Sequence, residues 1–183
     1  MSFIRSISQY LLLVTILATA LSVSLQASAA DTVYIFRHAE KADDGTSNPP
    51  LNRNGKLRAK WLTEYILANT DGKITHVYST DYFRTKQTVQ AIADKSKLLI
   101  TEYNPSDLKA LADKIRKQDG TIIIAGHSNT VLETIRELGG KAELAIEHDE
   151  FDRLYKLTFT GHKESRKAKT ERIQTPKKFP LNE

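Results

Sequence analysis

The run Thr121-Ile122-Ile123-Ile124-Ala125 is the most apolar stretch of the chain after its first thirty residues. A strand of this composition has no polar face, so it must be covered on both sides, as central strands of parallel sheets are. Sheets of this kind are built from strands that alternate with covering helices. The run therefore predicts an α/β domain with helices on both faces of its sheet.

Strand-like and helix-like segments alternate along the rest of the chain. Strands are predicted at 33–36, 74–78, 97–103, 121–125, 153–159 and 167–173. Helices are predicted to begin at Asn52, at 79–81, at Pro105-Ser106 and after Gly126. This order predicts a three-layer α/β/α sandwich with a mostly parallel central sheet, ending in a strand pair around Gly161.

The N-terminal segment has the layout of a secretory signal peptide. Arg5 precedes an almost uniformly apolar stretch at 10–23, and small residues follow at 27–30. The apolar stretch is short for a bilayer span, which needs about 20 residues. We therefore expect cleavage after Ala29 or Ala30, export to the periplasm or beyond, and no stable membrane insertion afterwards. An uncleaved signal anchor is the alternative.

One domain at 31–175 and a loose C-terminal tail at 176–183 are predicted to follow. The chain has no cysteine, which excludes disulfides, thiol catalysis and cysteine zinc sites. Its formal net charge of +5 is compatible with an anionic substrate. The basic stretch at 163–169 has no interleaved aromatic residues, so no nucleic-acid partner is predicted. Nothing in the sequence indicates an oligomeric state.

Polar clusters follow three of the predicted strands. Arg37-His38 comes after the first strand, Arg84 lies beyond the second, and His127 comes after the fourth. Ligands of α/β sheets bind past the carboxyl ends of the strands, so these side chains are expected to share one pocket. Arginine presents paired donors that match phosphate oxygens, and neutral imidazole is a good nucleophile. The pocket is therefore predicted to bind a phosphoryl group without a metal or other cofactor.

Four segments resemble, in order, the motifs of the histidine phosphatase (phosphoglycerate mutase-like) superfamily, branch 1. They are Arg37-His38-Ala39-Glu40, Leu51-Asn52-Arg53-Asn54-Gly55, the segment from Ser79 through Arg84 to Thr88, and Gly126-His127-Ser128-Asn129. The family has glycine at the position of Ala39, so the turn here must accommodate a Cβ atom. The resemblance implies a phosphoglycerate mutase-like fold.

The resemblance also implies a role for each matching residue. His38 would be the nucleophile that forms a phosphohistidine intermediate. Arg37, Arg84 and His127 would bind the phosphoryl group. Ser79 and Asn129 would add further contacts to the substrate. The implied reaction is hydrolysis of a phosphate monoester, with a small phosphorylated molecule as the partner.

The motifs do not identify the proton donor. Glu102 lies in the region where mutase-like members carry a glutamate, and Asp44, in the loop after the first motif, is an equal candidate. Asp43 and Asp81 are further alternatives. Glu40 is predicted to pair with an arginine rather than to act as an acid.

The boundaries of the pocket come from loops. The loops at 41–50, 104–107 and 141–149 are predicted to set specificity. The segment at 147–154 is a candidate wall of the pocket.

Three other functions remain open from the sequence. The segment from Gly126 to Thr130 nearly matches the nucleophile elbow of serine hydrolases, which would make Ser128 the nucleophile, with Asp152 and His162 as partners. A metallohydrolase would use His38, Glu40, Asp43 and His127, although these lack a compact ligand spacing. A non-catalytic phosphate-binding module would keep the arginines but would not need His38.

Overall fold

The computed structural model describes residues 31–142, 144–161 and 166–179. The predicted signal peptide, His162 and the last four residues of the predicted tail lie outside this part of the chain. Within the described residues, no helix is both long enough and apolar enough to cross a membrane.

The described residues form six strands and four helices. The strands are β1 Thr32–Arg37, β2 Ile74–Ser79, β3 Ile100–Glu102, β4 Thr121–Gly126, β5 Arg153–Thr160 and β6 Lys167–Gln174. The helices are α1 Arg53–Ala68, α2 Phe83–Ser96, α3 Leu108–Ile115 and α4 Ser128–Glu137.

The strands form one mixed sheet in the order β3-β2-β4-β1-β5-β6. The first four of these are parallel to one another, and β5 and β6 are antiparallel to their neighbours. The mostly parallel α/β sheet is therefore confirmed. Arg37 lies opposite Gly126, and Ser79 lies opposite Ala125, so β1, β2 and β4 end at the same edge.

The core lies on both faces of the sheet, because side chains of successive strand residues point to opposite sides. On one face Ile35 and Ile124 pack in a cluster with residues of α3 and α4. On the other face Tyr34, Phe36 and Ile123 pack in a cluster with residues of α1 and α2. These side chains are at most 1% exposed, and each contributes about 1.5–3 kcal/mol to folding by its burial. The two clusters give the predicted three layers.

The boundaries of two middle elements differ from the prediction. The strand predicted at 97–103 is only Ile100–Glu102, because α2 continues to Ser96 and ends at Lys97 in the left-handed conformation (φ 57°). Helix α2 also begins later than predicted, at Phe83, after Tyr82 in an extended conformation.

Helix α3 begins at Leu108 rather than at Pro105-Ser106. The side chain of Asp107 accepts a hydrogen bond from the Ala110 amide at 3.0 Å and so caps the helix. The cap determines the first residue of the helix because it satisfies an amide that has no partner within the helix.

The segment predicted as a loose tail begins with anchored residues. Arg58 donates to the hydroxyl of Thr175 at 2.7 Å and to the carbonyl oxygens of Pro176 at 2.9 Å and Lys177 at 3.3 Å. Its guanidinium also lies over the ring of Phe179, 5.1 Å from the ring centroid. A buried arginine has five donors, and the chain after β6 supplies acceptors for some of them, so Pro176 and Lys177 at the start of the predicted tail are held against α1.

Candidate active site

The turn after β1 places the candidate nucleophile beside the end of β4. The His38 amide donates to the Gly126 carbonyl at 2.9 Å, which continues the β1–β4 pairing by one residue. Arg84 lies in the first turn of α2, and His127 immediately precedes α4. The sheet thus brings the ends of three parallel strands and the starts of two helices to one edge, as the sequence predicted.

The imidazole of His38 is buried and held in one tautomer. Its Nδ1 lies 2.8 Å from the carbonyl oxygen of Ala39. A carbonyl oxygen can only accept, so in the neutral ring Nδ1 carries the proton and Nε2 carries the lone pair. Burial, followed by the positive charges of Arg37 and Arg84, lowers the pKa of His38 to about 3. The ring is therefore neutral at physiological pH, the state that a nucleophile needs.

The turn at Ala39 accommodates its Cβ atom without strain. Among the described residues other than glycine, only Lys97 has a positive φ, so Ala39 does not adopt the conformation that favours glycine. Ala39 is fully buried, and its amide donates to the hydroxyl of Thr88 at 3.0 Å. The departure from the family pattern at this position does not disturb the turn that carries His38.

His127 lies edge-on to His38, with 5.4 Å between the ring centroids. Its Nε2 lies 2.9 Å from the hydroxyl oxygen of Thr80. The Thr80 hydroxyl donates to the hydroxyl of Thr85 at 3.0 Å, and the Thr85 hydroxyl in turn has backbone carbonyl acceptors. A hydroxyl has only one proton, so Thr80 accepts from Nε2–H of His127. This chain of hydrogen bonds assigns the tautomer of His127.

The pKa of His127 is lowered to about 4, first by burial and then by the charges of Arg84 and Arg37. His127 is therefore also neutral near pH 7. No local pattern singles out Thr80, although it stands directly after Ser79 in the third motif.

Two arginines complete the cluster. Arg37 is buried, and its Nη1 donates to the carbonyl oxygens of Glu147 and Glu150, both at 2.9 Å. Burial lowers the pKa of Arg37 and Arg84, and the charge of Arg84 lowers that of Arg37 further. The Nε atoms of both are buried without an acceptor in the described part of the chain. Two close cations with donors to spare favour a bound dianion.

An aromatic ring lies against each arginine. The Arg37 guanidinium is 4.1 Å from the centroid of Phe151, whose ring is also 5.8 Å from that of His38. The Arg84 guanidinium is 4.3 Å from the centroid of Tyr82, whose ring is edge-on to His127 at 5.1 Å. Phe151 lies in the segment predicted as a wall. Tyr82 was missed, because its spacing from Arg84 carries no recognisable signal.

Ser79 and Asn129, the two residues predicted to add contacts to the substrate, have other surroundings in the structure. Ser79 is fully buried, and its hydroxyl donates to the Thr80 carbonyl at 2.9 Å, so Thr80 rather than Ser79 contacts His127. Asn129 is exposed and lines a cleft of about 430 Å³ beside Ser106 and Asp107. Within the described residues, neither side chain hydrogen-bonds to His38 or His127.

The carboxylates considered as proton donors are engaged elsewhere. Glu102 is 54% exposed and pairs with Lys86 at 2.5 Å, and Asp81 pairs with the same ammonium at 2.6 Å. Asp44 accepts from the amide and hydroxyl of Thr46, which lowers its pKa and disfavours the protonated form that a donor needs. Asp43 is exposed. The prediction of Glu102 as the proton donor is not supported by this geometry, because its carboxylate contacts Lys86 rather than the pocket.

Glu40 pairs with an arginine, as predicted. Its carboxylate accepts from Arg58 Nε at 2.9 Å and Nη2 at 2.7 Å, and from the Asn54 amide at 2.5 Å. Arg58 is 1% exposed. Because Glu40 is two residues beyond His38, this ion pair joins the turn that carries His38 to α1.

The second motif is explained by a close approach of two backbones. The Asn52 amide donates to the Glu40 carbonyl at 3.0 Å, and the Asn52 side chain accepts from the Gly55 amide at 2.8 Å. A Cβ atom at Gly55 would lie 2.1 Å from the Glu40 carbonyl oxygen. Glycine is therefore required here for the start of α1 to pack against the turn that carries His38.

The alternative sites lack their expected geometry. Ser128 begins α4 without the strained backbone of a nucleophile elbow, since its φ is not positive. The carboxylate of Asp152 accepts from the Gln174 side chain at 2.5 Å. The described residues contain no group of three or more histidine, cysteine, aspartate or glutamate side chains that could hold a metal ion.

Several solved structures share the fold over most of the chain. A SixA protein from Nakamurella multipartitia, assigned as a phosphohistidine phosphatase, is 16% identical with a TM-score of 0.61, covering 80% of this chain and 96% of its own. The protein histidine phosphatase SixA solved with tungstate is 17% identical with a TM-score of 0.59, covering 78% and 96%. A mycobacterial glucosyl-3-phosphoglycerate phosphatase is 10% identical with a TM-score of 0.56, covering 80% and 100%.

The family comparison matches part of the chain. No curated protein matches the chain significantly. Residues 33–106 match the histidine phosphatase superfamily (branch 1), a range that includes the first three of the four motifs. Over residues 33–106 the sequence therefore matches the histidine phosphatase superfamily (branch 1), and over most of its length the chain shares the fold of the solved structures named above.

Proposed function

We propose that the protein is a phosphatase that hydrolyses phosphate monoesters through a phosphohistidine intermediate on His38, without a metal. The match to a superfamily of phosphatases supports phosphatase activity. The observation that carries the mechanism is the hydrogen bond between His38 Nδ1 and the Ala39 carbonyl. It leaves the lone pair on Nε2 of a neutral, buried ring that is close to a second histidine and two arginines.

Binding follows from the charges of the pocket. A phosphate monoester is a dianion near neutral pH, and Arg37 and Arg84 supply positive charge and guanidinium donors. Helices α2 and α4 both begin at this edge, so their positive dipole ends add to the attraction. The two arginines repel each other, and a bound dianion removes that repulsion. A phosphoryl group is therefore the ligand that these residues suit best.

The first chemical step transfers the phosphoryl group to the protein. His38 Nε2 attacks phosphorus, a nitrogen–phosphorus bond forms, and the bond from phosphorus to the ester oxygen breaks. The leaving oxygen takes a proton from water or from a neighbouring acid and departs as the alcohol. Charge on the equatorial oxygens is stabilised by the fixed arginine donors, which need no reorganisation during the step.

The second step regenerates the protein. Water attacks the phosphorus of phosphohistidine, the nitrogen–phosphorus bond breaks, and His38 returns to its neutral form as inorganic phosphate leaves. The sum is ester plus water giving alcohol plus phosphate. Export of the protein, predicted from residues 1–30, would make phosphate esters outside the cytoplasm its substrates.

The proposal is tested by measuring phosphate release from p-nitrophenyl phosphate in the presence of a chelator. We expect the wild type to turn over and His38→Ala to lose activity by at least about a thousandfold. His76→Ala is the matched control, because His76 is only partly buried and lies in the middle of β2. Undiminished activity of His38→Ala, or activity that the chelator removes, would overturn the mechanism. Phosphate binding by a wild type without turnover would favour the binding module.

A further inference from the structure

The two arginines are each paired with an aromatic ring, and the rings belong to different parts of the chain. We call Tyr82 and Phe151 the aromatic rim. Tyr82 precedes α2 and contacts Arg84 and His127, whereas Phe151 precedes β5 and contacts Arg37 and His38. Each ring thus touches one histidine and one arginine. The rim therefore flanks the phosphoryl-binding groups from two separate segments.

The rim is more open to solvent than two of the groups that it flanks, whereas Arg84 and His127 are partly exposed, as Phe151 is. His38 is 4% exposed and Arg37 is 8% exposed, whereas Tyr82 is 36% exposed and Phe151 is half-buried. A substrate whose phosphoryl group lies at the buried His38 must extend toward solvent with the rest of its structure. The first part of the molecule beyond the ester oxygen is then the part closest to the rim.

We propose that the site is selective for aryl phosphates, in which the ester oxygen is attached directly to an aromatic ring. Aromatic rings prefer offset-stacked or edge-to-face contacts with one another, and such pairs stabilise beyond the area that they bury. Tyr82 and Phe151 provide two such surfaces at the mouth of the pocket. This inference rests on the proposed phosphatase function and adds the class of its leaving group.

The proton balance of the reaction points to the same class. None of the four carboxylates considered as donors is placed for this role. Glu102 and Asp81 pair with Lys86, Asp44 accepts from the Thr46 hydroxyl, and Asp43 is exposed. A phenol has a pKa near 10, far below that of an alkyl alcohol, so its anion is a better leaving group. When the bond from phosphorus to oxygen breaks, the phenolate can depart and take its proton from water. An aryl ester therefore needs less help from an acid than an alkyl ester does.

A simpler role for the rim is to hold the arginines in place. In that case the loss of a ring would weaken the binding of every phosphoryl ligand equally, whatever its leaving group. Selectivity for an aryl group requires instead that the loss of a ring weakens the binding of aromatic ligands more than that of aliphatic ligands. The difference between two ligands of equal charge separates these roles.

The experiment compares inhibition by benzylphosphonate, an isostere of phenyl phosphate, with inhibition by butylphosphonate. Neither compound can be hydrolysed, so the reactivity of the leaving group does not enter. We expect the wild type to bind benzylphosphonate about three- to tenfold more tightly. Tyr82→Leu should reduce this ratio toward one, Tyr82→Phe should keep it, and Phe151→Leu should reduce it independently.

Phe83→Leu is the matched control. Phe83 is 59% exposed and adjoins Tyr82, but its ring makes none of the contacts with pocket residues that the Tyr82 ring makes. Equal binding of both phosphonates by the wild type would overturn the proposal. So would a Tyr82→Leu variant that binds both less tightly by the same factor. Phosphate release that requires His38 would still stand in either case, so the two proposals fail separately.

Discussion

The carboxylate of Glu40 and the guanidinium of Arg58 form a two-point ion pair, with hydrogen bonds of 2.9 and 2.7 Å. The pair connects three parts of the molecule. Glu40 belongs to the turn of His38, Arg58 belongs to α1, and the other donors of Arg58 hold the chain after β6. We infer that the pair positions the turn of His38, because Glu40 is two residues beyond His38 and both of its carboxylate oxygens accept from α1.

Replacing Arg58 with methionine should destabilise the protein strongly. Glu40 would remain largely buried without its cation, and breaking a buried ion pair on one side costs about 3–5 kcal/mol. Denaturant unfolding measures this change. Lys60→Met on the same helix is the control, because Lys60 is 72% exposed in a long ion pair and should change stability by less than about 0.5 kcal/mol.

A positioning role also predicts a kinetic effect in a variant that still folds. In Arg58→Lys, a single ammonium replaces the two-point contact, so kcat should fall while KM for the substrate stays close to that of the wild type. An Arg58→Lys enzyme with unchanged kcat would show that the ion pair serves stability alone.

Replacing Thr80 with valine should impair catalysis through His127. Valine keeps the shape of the side chain but removes the acceptor of the His127 Nε2 proton, so the ring loses its fixed tautomer. We expect kcat to fall by about a hundredfold, the lower end of what a positioned proton-transfer side chain contributes. Thr80→Ser keeps the hydroxyl and should restore most of the activity. Equal activity of the valine and serine variants would contradict this role.

Acid should destabilise the protein because His38 stays neutral in the folded protein but binds a proton in the unfolded chain. The pKa of His38 is about 3 in the folded protein and about 6.5 in the unfolded chain, so the unfolded chain binds one more proton between these values. The contribution of His38 to the free energy of unfolding is therefore fully present above about pH 6.5 and is lost as the pH falls toward about 3.

Unfolding by urea at about pH 7 and about pH 5 tests this linkage. His38 should contribute a loss of about 2 kcal/mol between these two values of pH. A His38→Gln variant should lose correspondingly less stability than the wild type over the same interval. Identical losses in the two proteins would show that His38 titrates normally in the folded state.

Neither Glu102 nor Asp44 should behave as the proton donor. Glu102→Gln removes an exposed ion pair with Lys86, and Asp44→Asn weakens a surface turn, so each should change kcat less than about threefold. The measurement is kcat on an alkyl phosphate, for which loss of a donor is most visible. A drop of about a hundredfold in either variant would identify that carboxylate as the acid.

The sequence was sufficient for the parts of the site that depend on local pattern. The apolar runs around Tyr34 and Ile123 identify buried strands, and residues directly after such strands must reach the same edge of a parallel sheet. His38 and His127 are therefore expected to lie together from the sequence alone. The pairing of Glu40 with an arginine was also predicted, but not the identity of that arginine.

The remaining features depend on contacts between distant parts of the chain. Arg58 and Thr175 are 117 residues apart, and no local signal connects them. The sequence does not show on which face of the sheet the Glu102 side chain lies, because β3 has only three residues and so gives no clear alternation of apolar and polar positions. Thr80 and Ser79 are adjacent in the motif, and only the folded backbone shows which hydroxyl reaches His127.

The most direct test of His38 as the nucleophile is to trap the phosphorylated protein. The wild type is mixed with p-nitrophenyl phosphate, quenched with alkali after a few milliseconds, digested and analysed by mass spectrometry. We expect a phosphoryl group on the peptide that contains His38, stable in alkali and labile in acid, and absent from His38→Ala. A phosphoryl group on another residue, or rapid turnover with no phosphorylated protein at any time, would contradict the mechanism.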